Sequence, residues 1–420
     1  MLDVRRIRET PDEVKALLAI KGGGYAIDQI VDVDKDRRRI LVEMENLKAL
    51  RNRVSQEIAE LKRQHLSADG KIAEMRTVGD NIQSLEQQLA AVDLTLSELL
   101  WATPNTPLPR VPVGKDAEDN VAVYTFGPMT SFAFEPLPHW ELGERLGILD
   151  FERAHKITGS RFTVLKGMGA RLSRALTNFM LDHAAERGYY EVLPPYLANR
   201  DSLIGTGQFP KFEEDVFRVD PHSLFLIPTA EVPLTNLHRG EILDEDELPK
   251  KYVAATSCFR SEAGAAGRDT RGLIRQHQFE KVELVQVVRP EDSEAALEEM
   301  RRDAETVLED LDLPFRTVLL CGGDMGFSQA MTYDVEVWMP SYGRYVEISS
   351  VSLMTDYQAR RSEIRYRPRG SRKTELVHTL NGSALAVGRT IAAILENAQT
   401  GDGHILVPAR LQPYLGVEVI

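Results

Sequence analysis

The sequence predicts an α+β protein in two parts: an N-terminal antiparallel helical hairpin, then a larger body built on an antiparallel β-sheet flanked by helices. Three observations predict it. Two long stretches of three-four apolar spacing flank a polar turn, a proline-rich segment follows them, and beyond it short alternating runs mix with amphipathic helices.

The chain has 420 residues, 27% charged and 43% hydrophobic, enough for two domains and a substantial core. Its first residues, MLDVRRIRETPDEV, carry charges where a signal peptide needs an apolar centre, and no apolar run is long enough to span a bilayer. A cytoplasmic location with no membrane partner is therefore expected. Cys258 and Cys321 lie far apart and support neither a disulfide framework nor a cysteine zinc site, which leaves them as packing residues. The formal net charge of −13 excludes general affinity for nucleic acid, so any RNA contact must come from local basic patches.

In chain order, Val33, Ile40, Met44, Leu47, Val54, Ile58 and Leu61 form a heptad seam interrupted at Arg37 and Arg51. After the turn Ser67-Ala68-Asp69-Gly70, the seam resumes at Met75, Val78, Ile82, Leu85, Leu89, Val92, Leu96 and Leu99. The two can only zip antiparallel, as a projecting coiled coil with helices roughly 40 to 45 Å long at ~1.5 Å per residue. The first helix carries Lys35, Arg37, Arg38, Arg39, Lys48, Arg51, Arg53, Lys62 and Arg63, which read either as solvated flanks or as a phosphate-binding face. Prolines at 104, 107, 109 and 112 mark an extended, semi-rigid linker. The expected division is residues 1–103, a linker at 104–112, and a body at 113–420.

Within the body, residues 172–186 form an amphipathic helix, and 187–197 form a strand whose prolines, Pro194 and Pro195, place it at a sheet edge. Thr229-Ala230-Glu231 supplies a hydroxyl and a carboxylate after an apolar run. Residues 256–283 read as strand, Gly- and Arg-rich loop, strand, the second strand running from Ile274 to Gln286. Arg260, Arg268, Arg271 and Arg275 are fork donors suited to phosphate, and His277 and Phe279 offer ring faces to a base, although solvated arginines on a surface hairpin would read the same way. Strands at 336–338 and 344–349 end in Glu347-Ile348-Ser349-Ser350, oxygen ligands that suit a hard cation. Residues 379–389 lead into a helix that runs through Leu395.

Phe259-Arg260-Ser261-Glu262 with Arg275-Gln276-His277-Gln278-Phe279 resembles motif 2 of the class II aminoacyl-tRNA synthetases. The 187–197 stretch resembles motif 1, with Pro195 its characteristic residue, and Thr379 through Arg389 resembles motif 3. Together with Thr229-Ala230-Glu231, the linker and the hairpin, the whole chain looks like the bacterial-type seryl-tRNA synthetases. The resemblance implies a class II catalytic domain on the antiparallel sheet, a homodimer through motif 1, and an N-terminal arm that binds tRNA. It implies that Arg260 and Arg389 are the catalytic residues, Arg260 holding the ATP α-phosphate with Ser261, Glu262 and Arg275 beside it. Phe279 would stack on adenine opposite Arg389, and Glu347 and Ser350 would hold Mg²⁺ with Ile348 and Ser349 in the same ATP site. Thr229, Ala230 and Glu231 would receive the α-ammonium of L-serine near Arg260, and Glu283, Asn381 and Ser383 would read its hydroxyl.

The implied reaction activates serine with ATP to seryl-adenylate and transfers it to the 3′ end of tRNA(Ser), with tRNA(Sec) open as a second substrate. A ligase that aminoacylates a carrier protein is the competing reading, and a coiled-coil scaffold without chemistry a third. The arm opposes the former, and the intact Arg260, Glu347 and Arg389 the latter. There is no Walker loop or dinucleotide fingerprint to suggest another ATP fold. Val351, Leu353 and Ala384 depart from the Cys, Asn and Gly expected of bacterial relatives, which puts the fine packing beneath the metal and serine sites in question.

Overall fold

The heptad-spaced residues fold as expected into two long helices, and the computed structural model describes residues 1–262 and 271–420. The chain divides into two compact units, one of Leu2–Ala19 and Gly23–Thr103, the other of Met1, Ile20–Gly22 and Pro104–Ile420.

The first unit is helical: α1 (Val4–Glu9), α2 (Pro11–Ala19), α3 (Ile27–Arg63) and α4 (Asp69–Trp101). Helices α3 and α4 contain 37 and 33 residues, roughly 55 and 50 Å at 1.5 Å per residue, and so exceed the length the seam suggests. Ile40, Met44, Val78, Ile82 and Leu85 bury the seam between them. Its interruption at Arg37 is resolved by an ion pair to Asp93 on the facing helix at 2.5 Å, while Arg51 is exposed. At the far end of α4 the buried residues are Leu96 and Leu100 rather than Leu99. A straight helix has 3.6 residues per turn, so a strict seven-residue pattern drifts around it over several heptads.

The second unit is organised by an eight-stranded sheet. Its strands in chain order are β1 (Val121–Phe126), β2 (Tyr190–Glu191), β3 (Lys250–Phe259), β4 (Gln278–Val288), β5 (Phe315–Leu319), β6 (Met331–Met339), β7 (Arg344–Thr355) and β8 (His378–Ala386). They lie in the spatial order β1-β5-β6-β7-β8-β4-β3-β2. Pairing is antiparallel except at the edge, where β2 runs parallel to β3. Helices α5 (Met168–Ala185), α6 (Glu231–Thr235), α7 (Ser293–Asp310), α8 (Tyr357–Ser362) and α9 (Val387–Asn397) flank it. Leu172, Leu176 and Met180 of α5, Leu297, Met300 and Leu308 of α7, and Ile391 and Ile394 of α9 pack with the buried sheet residues into one apolar core.

The proline-rich stretch is anchored by its polar residues: Asn105 is buried, its backbone N–H donates to the Phe327 carbonyl, and its side-chain amide donates to the carbonyls of Ser328 and Met354. Prolines forfeit donors, and the polar residues between them do the anchoring. Two strand expectations are corrected here. The strand expected over residues 187–197 shrinks to β2 at the sheet edge and a second two-residue strand at Leu197–Ala198. The strand expected from Ile274 begins at Gln278, because the His277 N–H is taken by the Arg161 carbonyl and cannot join the ladder. No helix among the described residues is long and apolar enough to cross a membrane.

Candidate active site

Alternation along β4 points Phe279, Lys281 and Glu283 to one face of the sheet, and β8 sets Asn381 and Ser383 beside them. These five residues share a cavity of about 200 Å³ with Thr229, Glu231, Arg260, Glu262, Arg275, Glu347, Ile348, Ser349, Ser350 and Arg389. Residues drawn from four separate stretches of sequence thus meet at one place.

Arg260 emerges from β3 and is locked by its backbone. Its N–H donates to the His277 carbonyl at 2.9 Å, and its own carbonyl lies 2.9 Å from His277 Nδ1. The guanidinium donates through Nε to the Pro228 carbonyl at 3.2 Å and lies 5.2 Å from the centroid of Phe279. Glu262 adopts φ of +51°, a left-handed conformation unusual for a side-chain-bearing residue, and its carboxylate receives Arg275 Nη1 at 2.5 Å. Arg389, near the start of α9, donates to the Ile274 carbonyl at 3.1 Å and the Glu347 carbonyl at 2.6 Å, with the Glu347 carboxylate 3.4 Å away. Three guanidinium groups therefore border the cavity, Arg260 and Arg389 oriented by backbone carbonyls and Arg275 by the Glu262 carboxylate.

The opposite charge is concentrated deeper. Glu231 is buried, and its Oε1 accepts a hydrogen bond from Gln358 Nε2 at 2.6 Å. Burial first, and then the neighbouring Glu283, push its carboxyl up to about 7. Glu283 pairs with Lys281 at 2.7 Å and accepts from Ser383 Oγ at 3.2 Å. Asp334, opposite Ser350 on the adjoining strand, is held well above the usual carboxylate range by burial and by Glu347. Glu347, Ser350 and Asp334 make a set of hard oxygen donors carrying excess negative charge, which fits a divalent cation such as Mg²⁺. Among the described residues no group of three His, Cys, Asp or Glu side chains forms a closed metal cage.

Some residues singled out in the sequence sit differently. Ser261 is outside the cavity lining, its hydroxyl donating to the Glu214 carbonyl at 2.6 Å, and Ala230 is fully buried at the N-terminal end of α6. His277 is half-buried, its ring in tilted contact with Phe162 and edge-on contact with Phe217. Arg271 is exposed and lines a neighbouring groove, and Arg268 lies outside the described residues. Both cysteines are buried and unbridged.

Lys281, Gln208, Gln276 and Gln329 line the cavity without having been singled out, and Asp334 stands behind it. Lys281 was legible in principle, since it shares the strand face of Phe279 and Glu283. A further support is fully buried: His139 Nδ1 lies 2.7 Å from Glu396 Oε1, and its Nε2 accepts the Leu273 N–H at 3.0 Å. An acceptor at Nε2 places the ring proton on Nδ1, facing the carboxylate. Gly272, at φ of +74°, is required there, because a Cβ would fall 2.0 Å from His139 Nε2.

Comparison with known proteins adds a family to this geometry. The seryl-tRNA synthetase N-terminal domain family matches residues 1–107, and the tRNA synthetase class II core domain (G, H, P, S and T) matches residues 211–398. The serine–tRNA ligase of Geobacillus kaustophilus is 59% identical over 418 residues, covering 99% of each chain. That of Carboxydothermus hydrogenoformans is 55% identical over 421 residues, covering 100% of this chain and 99% of its own. Among solved structures, seryl-tRNA synthetase from Pyrococcus horikoshii complexed with ATP superposes with a TM-score of 0.94 at 39% identity, covering 100% of this chain and 99% of that one. The cytoplasmic enzyme from Naegleria fowleri in complex with AMP gives 0.88 at 27% identity, covering 100% and 98%.

The position of Glu231 predicts a stability effect with a definite sign. In the unfolded chain its carboxyl ionises near ~4.3, and in the folded chain at about 7. Between those values the folded state holds a proton that the unfolded state releases, so stability falls as pH rises through the window. Glu231→Gln is expected to be more stable than the parent at pH 8, by on the order of 1 to 3 kcal/mol, with the gap closing towards pH 5. Thermal unfolding at the two pH values measures it.

Proposed function

The chain belongs to the seryl-tRNA synthetase family, and from that membership and the geometry of the cavity we propose which residues carry out its ATP-dependent ligation of serine to tRNA. The observation that carries the assignment is the sorting of charge in one cavity: Arg260, Arg275 and Arg389 border it where phosphates would lie, and Glu231 lies buried where a cation would. A carrier-protein ligase has no use for the helical hairpin, so that reading is set aside.

Serine binds with its α-ammonium against Thr229 and Glu231 and its hydroxyl against Glu283, Asn381 and Ser383. The ammonium compensates Glu231 for its burial, so occupancy favours the ionised carboxylate. Serine's own carboxylate, with a pKa of ~3.5, is already a nucleophile, and no protein base is required. It attacks the α-phosphorus of ATP, pyrophosphate leaves, and seryl-adenylate remains. Arg260 is catalytic because its guanidinium can follow the charge that builds on the α-phosphate, and Arg389 does the same for the leaving phosphates. Phe279 stacks on adenine, and Glu262 keeps Arg275 in place. Glu347 and Ser350, with Asp334 behind them, would hold Mg²⁺, which supplies charge neutralisation on the ATP phosphates when bound. The tRNA 3′-terminal hydroxyl then takes the seryl group and AMP departs. Alanine is refused because it would leave the hydroxyl-reading groups unpaired, a discrimination of ~10⁴ to 10⁵.

The arm holds tRNA(Ser), with tRNA(Sec) a second acceptor to be tried in the same assay, and the enzyme works in the cytoplasm as a homodimer. Support for the dimer comes from the edge of the sheet, where Tyr190, Leu193, Tyr196 and Leu197 are exposed, Leu193 to 82%. Large exposed apolar side chains on an edge segment favour a self-complementary contact.

Three outcomes are expected. Arg260→Ala loses ~10² to 10³ in the rate of serine-dependent ATP–pyrophosphate exchange while its circular dichroism stays that of the parent; near-normal exchange would remove Arg260 from the catalytic role. Leu193→Asp converts the protein into a 47.2-kDa monomer in sedimentation, and a parent already monomeric at micromolar concentration would refute the dimer. Deleting residues 34–96 spares pyrophosphate exchange and abolishes tRNA charging, and raising salt weakens tRNA binding by the intact chain far more than ATP binding. Full charging by the deletion variant would show that the arm is dispensable.

A further inference from the structure

Gln358 was not singled out in the sequence, yet it touches two residues that were, Glu231 and Thr379. It lies in the first turn of α8, 1% exposed, with its amide between three partners. Nε2 donates to Glu231 Oε1 at 2.6 Å and to the Thr206 carbonyl at 3.1 Å, and Oε1 accepts from the buried Thr379 hydroxyl at 2.7 Å. These three bonds admit only one orientation of the amide. Turning it over would set its oxygen against the Glu231 carboxylate and the Thr206 carbonyl, both acceptors, and its nitrogen against the Thr379 hydroxyl.

We propose that Gln358 is a positioning residue for the serine subsite: it occupies one oxygen of the Glu231 carboxylate, and so fixes the direction in which the remaining acceptor capacity of that carboxylate faces the cavity. This rests on the reading of Glu231 as the acceptor of the α-ammonium. A carboxylate buried without donors would adopt the neutral form, which cannot attract a cation as strongly. Gln358 supplies a donor that favours the charged form at no cost in net charge, whereas Lys281, the nearby cation, is committed to Glu283 at 2.7 Å. The groups that face Glu231 are Gln358 from α8, Glu283 and Lys281 from β4, and Asn381 from β8. Of these, Gln358 makes the short bond to it and is absent from the cavity lining, so its effect on serine is exerted through Glu231. The same amide ties Glu231 to the Thr206 carbonyl, two residues from Gln208 in the cavity wall, and so links two sides of the pocket.

Gln358→Met preserves length and removes the amide. In pyrophosphate exchange with the full-length enzyme, KM for serine should rise by about ten- to a hundredfold, the scale of a hydrogen bond to a charged group, while KM for ATP stays within about twofold. The acidic limb of the kcat/KM profile for serine should also move to higher pH, because Glu231 loses a donor to its ionised form. Thr379→Val, which releases the amide without deleting it, should shift both readouts in the same direction by a few-fold. It keeps the test open should Gln358→Met fold poorly. Glu231→Gln separates the two layers of the argument. If it raises KM for serine and neither Gln358→Met nor Thr379→Val does, the positioning role is overturned and the ammonium assignment stands. If Glu231→Gln leaves serine affinity unchanged, the ammonium assignment falls and the positioning role with it. Equal losses in the KM of serine and ATP, with an unmoved pH profile, would overturn the proposal in favour of a general packing role.

Discussion

The register between β4 and β8 is the constraint on which the site depends. These two strands carry Phe279, Lys281 and Glu283 on one side of the contact and Asn381 and Ser383 on the other, and a strand slipped by one residue would turn that whole set to the opposite face. The pairing contains an irregularity at the point where it matters. Val282 faces Leu385, and Glu283 faces Ser383, so Ala384 is the extra residue of a bulge. That insertion brings Ser383 opposite Glu283, where its hydroxyl reaches the carboxylate. Glycine is expected at this position in bacterial relatives, but Ala384 is not among the residues with positive φ, so a Cβ is admissible there. A second irregularity, between β6 and β7, leaves Ile348 as the extra residue and adjusts Glu347 and Ser350 relative to Asp334. Bulges of this kind bend a strand and re-aim its side chains, which is why they gather beside active sites.

Given that frame, the cavity is a store of unsatisfied electrostatics. Glu231 and Asp334 are both pushed up by burial, each with a second carboxylate as a neighbour. Across from them Arg260 and Arg389 donate to backbone carbonyls, Arg389 with the Glu347 carboxylate 3.4 Å away, and Arg275 is paired with Glu262. On the proposed assignment these charges would be complemented by the ammonium of the amino acid and the phosphates of ATP. Catalysis by preorganised dipoles needs this arrangement, since the groups that stabilise the transition state must be in position before charge develops.

Legibility in the sequence followed the range of the interaction. The hairpin was readable because its seam repeats locally, and the motifs because residues within each stretch lie on one strand or one turn. The partners that complete the site were not. His139 meets Glu396 across 257 residues and Gln358 meets Glu231 across 127, and nothing near either residue in sequence reports the meeting. Lys281 was overlooked for a different reason, because a lysine in an alternating strand is ordinarily solvated and only the neighbour at Glu283 shows that this one is held inside. The neighbours of His277 were equally hidden, because Phe162 and Phe217, which meet its ring tilted and edge-on, lie far from it in sequence. The departures at Val351 and Leu353 prove to be fully buried core positions, where an apolar residue is the ordinary choice.

The hairpin sharpens the question of how an acidic chain binds RNA. Counting basic residues on α3 overstates its positive field, because many of them are spoken for: Arg37 by Asp93, Arg38 by Asp34, Arg39 by Asp36 and Glu43, Lys48 by Glu86, and Arg63 by Glu60. Most of these pairs are exposed, and exposed pairs are worth little, so a phosphate could displace the carboxylate from one of them at small cost. Lys35, Arg51 and Lys62 make no ion pair among the described residues and are available outright. Affinity drawn from so few contacts would be modest and strongly salt-dependent. With the net charge at −13, such an arm gains little from attraction to polyanions in general. On the proposal that the arm binds tRNA, its selectivity would come from where a long helix pair can lie against a particular RNA shape, with the scattered cations fixing position rather than supplying bulk attraction.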